Sequence, residues 1–113
     1  MANYNISVNR PEKRLDIVCT GIVGGNDVKD FVDSFNKAVS TITPADYILN
    51  FDTSNFSVIS QDMIPGIQGC FEMYQKLHFK KIRIKLNQSN PILKMQIDRV
   101  AKMAGLDNYE FYY

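Results

Sequence analysis

The residues of this chain best placed to do chemistry stand in one polar run. Asp52, Ser54, Asn55, Ser57, Ser60, Gln61, Asp62 and Met63 follow the apolar stretch Tyr47-Ile48-Leu49-Asn50-Phe51 and precede apolar residues at helical spacing. In open α/β sheets the carboxyl end of a central strand collects binding sites, because the loop and the next helix N-terminus offer unpaired N–H groups there. These eight residues are the candidate partner-binding set, and what they offer is hydrogen bonding and charge. Asp52 is placed to fix the loop by accepting its backbone N–H groups, with Ser54 and Ser57 as further hydrogen-bonders. Asp62 reads as a helix cap or first-turn acid that steadies the dipole, and Ser60 is an equal candidate for the cap.

Elsewhere the chemistry is thin. His78 is the one histidine, with no second histidine or cysteine at ligand spacing, so no metal is expected. Cys19 sits in an apolar strand pattern and Cys70 in the apolar stripe of a helix, which predicts two buried reduced thiols and neither a disulfide nor a cysteine nucleophile. Gly24-Gly25-Asn26-Asp27 lacks the third glycine of a dinucleotide fingerprint and the lysine of a phosphate loop, and reads as a tight turn and cap. No nucleophile, base and oxyanion set can be assembled, so neither catalysis nor a cofactor is expected.

Composition narrows the partners. The 113 residues suit one domain, and a net charge of +1 argues against a dedicated nucleic-acid or membrane-surface protein. The cluster Lys76, Lys80, Lys81, Arg83 and Lys85 reads as solvated charge on one strand face. No stretch approaches the ~20 apolar residues of a membrane span, and the start Met1-Ala2-Asn3-Tyr4-Asn5 has no basic or apolar leader pattern, so a cytoplasmic location is expected.

The elements that must position the polar run follow from periodicity. Residues 3–8 and 15–23 alternate and flank the polar turn Asn9-Arg10-Pro11-Glu12-Lys13, which predicts an antiparallel pair. Val28, Phe31, Val32, Phe35, Ala38, Val39 and Ile42 predict a helix over 27–41, capped by Asn26 and closed before Pro44. Strand 47–51 is nearly all apolar, as for a central strand covered on both faces, and a second helix is expected over 61–77. Strand 81–86 alternates cleanly and is expected towards a sheet edge; a third helix starts at Asn90-Pro91 and ends in a Gly105-Leu106 cap; Tyr109–Tyr113 forms a last strand. The order β-β-α-β-α-β-α-β predicts a single α/β domain, a mostly parallel mixed sheet with helices packed on its faces.

Three blocks in this order resemble the STAS domain, shared by sulfate transporter tails and anti-sigma factor antagonists. They are Leu15 to Val23, a strand ending near a glycine; Ile48 to Ile64, an aspartate-containing strand, loop and helix start; and Val100 to Asp107, a closing helix with a Gly-Leu cap. Where antagonists carry Asp-Ser-Ser-Gly, this chain reads Ser60-Gln61-Asp62-Met63, which puts Asp62 at the position of the phosphorylated serine. The resemblance implies a non-enzymatic regulatory module that binds a protein partner through the 52–62 loop and helix 61–77, with a carboxylate as a partial stand-in for phosphate. A module binding a nucleotide, anion or lipid at the same loop is the alternative. A homodimer through an edge strand, such as the aromatic tail, or through helix two is a further expectation.

Overall fold

Tyr4–Asn9 (β1) and Arg14–Cys19 (β2) form the expected antiparallel pair. The turn between them closes with Lys13 N–H donating to the Arg10 carbonyl at 3.2 Å, and Lys13 itself takes a left-handed φ of 51°. The structure, a computed structural model, describes residues 4–19, 25–55, 61 and 64–113, with the backbone alone at 19 and 25–28. The expected continuation of β2 to Val23, and the environment of Cys19, therefore lie outside the described residues.

Three crossover units follow: Gly25–Val39 (α1) leads to Ile48–Asp52 (β3), Ile64–Leu77 (α2) to Lys81–Lys85 (β4), and Pro91–Met103 (α3) to Tyr109–Tyr112 (β5). The five strands stand in the order β1-β2-β3-β4-β5, with every pair after the first parallel, so β3 is the central strand beside β4 as the sequence predicts. The chain is thus an α/β protein with a mixed five-stranded sheet and three helices. Helix ends differ from expectation by a residue or two. α1 begins at Gly25, ahead of Asn26, and stops at Val39, where the hydroxyls of Ser40 and Thr41 donate to the Lys37 and Ala38 carbonyls at 2.7 Å each and compete with the helical ladder. At the end of α3, Gly105 takes φ 77° and the Leu106 N–H donates to the Ala101 carbonyl at 2.9 Å, the expected left-handed cap with Leu106 buried beneath it.

Register shows which residues share a face. Leu15, Leu49, Ile82 and Tyr109 lie in one row and Ile17, Phe51, Ile84 and Phe111 in the next. The helices pack on these rows: Phe31 of α1 meets Tyr4 edge-on at 5.2 Å, Phe71 and Tyr74 of α2 meet Phe51 at 5.9 and 6.0 Å, and Asp98 of α3 takes the Tyr109 hydroxyl at 2.6 Å. A right-handed crossover repeated three times in one direction places every helix on the same side.

That topology corrects two expectations. β3 is not covered on both faces: Leu49 and Phe51 are buried, while Ile48, Asn50 and Asp52 are half-buried on the side where the described residues place no helix. β4 does not owe its alternation to an edge position, since it pairs with β3 and β5 on its two sides; Lys81, Arg83 and Lys85 simply face the uncovered side.

Candidate functional site

The carboxyl end of β3 is anchored more firmly than its sequence suggests. Thr53 is fully buried, and both its N–H (3.0 Å) and its hydroxyl (2.8 Å) donate to the Lys85 carbonyl of β4. Asp52, half-buried on the open face, accepts the Ser54 N–H at 2.9 Å and the Ser54 hydroxyl at 2.6 Å through the same oxygen, Oδ1. An aspartate bonding two residues ahead in this way closes an Asx turn, so the loop leaves the strand in a set direction. Lys85 stands in register with Asp52 on the neighbouring strand, which keeps a cation beside the carboxylate.

Of the eight candidate residues, the structure brings Asp52 and Ser54 into direct contact. Asn55 follows them and is exposed, and Gln61 is also exposed. Ser57, Ser60, Asp62 and Met63 lie outside the described residues, as does the expected start of helix two at 62–63. α2, described from Ile64, turns Ile67, Cys70, Phe71 and Tyr74 into the core. Its outer stripe, Pro65, Gly69, Glu72 and Lys76 at i, i+4, i+7 and i+11, is exposed. A Cβ added at Gly69 would meet nothing within 4 Å, so the middle of that stripe is shallow and open.

Sequence reasoning missed a second loop at the same edge of the sheet. Asn87 Oδ1 accepts the Ser89 N–H at 3.0 Å and the Ser89 hydroxyl at 2.7 Å, repeating one strand over the turn made by Asp52 and Ser54. Asn90 then caps α3, its Oδ1 accepting the Leu93 N–H at 3.2 Å. The signal was present as the shared spacing Asp52-Thr53-Ser54 and Asn87-Gln88-Ser89 at two strand ends.

The other candidate groups do not join this edge. Cys70 is buried in the core, as its position on the helical stripe predicts. His78 is exposed at the end of α2, with a left-handed φ of 54°. Beside it a cavity of about 190 Å³, lined by Tyr74, Gln75, His78, Phe79, Ile82, Asp107 and Asn108, opens at the amino end of β4, across the sheet from the loop. It is smaller than the ~300–1,000 Å³ typical of ligand pockets. Among the described residues no group of three His, Cys, Asp or Glu side chains could hold a metal ion, and no helix is long and apolar enough to cross a membrane. Comparison of the chain with protein-family models, with curated proteins and with solved structures gives no match.

Proposed function

We propose that this chain is a cytoplasmic, non-enzymatic regulatory module that binds a protein partner through the 52–62 loop and the outer stripe of α2, in the manner of the anti-sigma factor antagonists whose strand and cap blocks it resembles. The observation that carries this reading is the use made of Asp52. Its Oδ1 is spent on the Ser54 N–H and hydroxyl, which turns the chain at the carboxyl end of β3 and leaves Asn55 exposed. The strand order adds support. Ligand crevices in α/β sheets open where the strand order reverses and neighbouring connections diverge; here β2 to β5 advance in one direction. The carboxyl edge is thus better suited to a surface contact than to a small molecule. In this reading Asp62 carries the negative charge that phosphoserine supplies in the resembled family, at −1 against about −1.5 to −2.

Gly69→Arg tests the proposal. The position is open, so the arginine fits without displacing core groups and improves helix propensity, yet it projects from the middle of the contact stripe. Tagged wild-type protein in native lysate is expected to retain a defined partner that the Gly69→Arg protein loses, with the melting temperature unchanged or slightly raised. Retention of the same proteins by both forms would remove α2 from the interface.

A further inference from the structure

The free edge of the sheet at β5 is flanked by α3, whose Lys94 and Asp98 reach the rings of Phe111 and Tyr113 and the hydroxyl of Tyr109. The exposed large apolar residues among the described residues are Ile92, Met95, Met103 and Tyr113, three on α3 and one directly after β5. The Ile82 N–H donates to the Asn108 carbonyl at 2.9 Å and the Leu86 N–H to the Tyr112 carbonyl at 2.8 Å, so the even-numbered residues of β5 turn their backbone groups towards β4. The N–H and C=O groups of Tyr109 and Phe111 consequently point out of the sheet. Natural edges are commonly blunted by lysine, proline or a bulge. Tyr109-Glu110-Phe111-Tyr112 contains no lysine or proline, and its one charge, Glu110, is held by Arg83 at 3.1 Å and Lys81 at 3.5 Å. β1, at the other edge, instead carries exposed Asn5 and Ser7.

We infer that this surface pairs with a second copy of the chain, β5 running antiparallel to the partner's β5 about a two-fold axis at Phe111. The register follows from the outward groups: Phe111 faces Phe111 as a hydrogen-bonded pair, Tyr109 faces Tyr113, and Glu110 faces Tyr112, so no like charges meet on the strands. Charge selects a second copy as the occupant. Lys94 Nζ stands 5.7 Å from the Phe111 ring centroid and 6.0 Å from that of Tyr113, while Asp98 takes the Tyr109 hydroxyl on one oxygen and Lys102 Nζ, at 3.0 Å, on the other, a surface pair that water and a second cation can share. Setting Tyr113 opposite Tyr109 carries Lys94 of each protomer towards Asp98 of the other, a complementary contact made twice by symmetry. A crossover helix lies over the gap between its two strands, so the two α3 helices approach to about 10 Å, the spacing of packed helices, with Met95 near the axis. The pairing leaves Asp52, Ser54 and the α2 stripe outside and stands independently of the proposed partner contact.

Sedimentation of the full chain over a wide concentration range tests the inference. A reversible dimer is expected. Met95→Lys, at an exposed helix position, and Tyr113→Pro, which deletes an outward donor but no bond to β4, should each weaken it by about tenfold or more, with unchanged melting of the monomer. In the wild-type protein, hydrogen exchange of the Phe111 amide should slow as concentration rises. A monomer throughout the range, a dimer that neither substitution weakens, or Phe111 exchange independent of concentration would each overturn the pairing.

Discussion

On the helix side of the sheet, Leu15, Ile17, Leu49, Phe51, Ile82 and Ile84 are buried under α1, α2 and α3; one residue along each strand, on the other side, Arg14, Asp16, Asn50, Arg83 and Glu110 are half-exposed and hold one another. The open side is braced strand to strand. Arg14 donates to Glu12 and, at 2.7 Å, to Asp16, which raises its already high pKa chiefly through the Asp16 bond. Asn50 donates to Asp16 at 3.2 Å and accepts the Tyr112 hydroxyl, Arg83 stacks 4.1 Å over the Tyr112 ring, and Glu110 takes Arg83 and Lys81. One chain of polar contacts therefore crosses from β2 to β5. The difference is one of magnitude: burying an aromatic side chain contributes several times what a solvated ion pair or hydrogen bond does, because water competes for the latter. The helix side supplies the stability, and the open side supplies polar contacts that tie neighbouring strands together.

The largest test of this contrast is Phe35→Ala. Phe35 is fully buried, with the rings of Tyr74, Phe31 and Phe79 at 5.1, 6.1 and 6.3 Å. Its loss is expected to cost about 3–5 kcal/mol in denaturant unfolding. A change under about 1 kcal/mol would mean that the aromatic cluster does not support the fold. On the open side, Asn50→Ala cuts the polar chain at its middle, yet water can replace both partners, so a loss of only about 1 kcal/mol is expected. A cost equal to that of Phe35→Ala would abolish the distinction between the faces.

The smallest effect sits where the faces meet, at the clasp of α3 on β5. Burial first and the bond to Asp98 second push the Tyr109 phenol up to about 12, while the same bond, with help from Lys102, holds Asp98 below its ordinary range. For Tyr109, whose folded value is raised, the linked stability is complete below pH 10 and declines as pH rises towards about 12. For Asp98 the sign reverses: its contribution is present above the ordinary carboxylate value of 3.8 and is lost as pH falls through the lowered folded value. In an absorbance titration of the folded protein, one tyrosine should ionise near pH 12, and that step should vanish in Tyr109→Phe and move down in Asp98→Asn. A step lost in Tyr109→Phe that lies near the ordinary pH 10 instead of near 12 would show that the clasp is open.

Much of this architecture was written locally. The spacing of Phe31, Phe35 and Val39 makes an amphipathic helix wherever it is placed, Gly105-Leu106 closes α3 because only glycine enters the left-handed region without cost, and Asp52 turns the chain at Ser54 through a bond spanning two residues. Periods of two and 3.6 name the side chains that need burial without saying on which side of the sheet cover arrives. That was decided by strand order, which depends on contacts across tens of residues: because β2 to β5 advance one way, all three helices gather on one face, Asn50 and Asp52 are left open, and β4 is paired on both sides while keeping a solvated face. Thr53 became part of the core for the same reason. Its partner, the Lys85 carbonyl, lies on another strand, and only the register of β3 on β4 brings the two together.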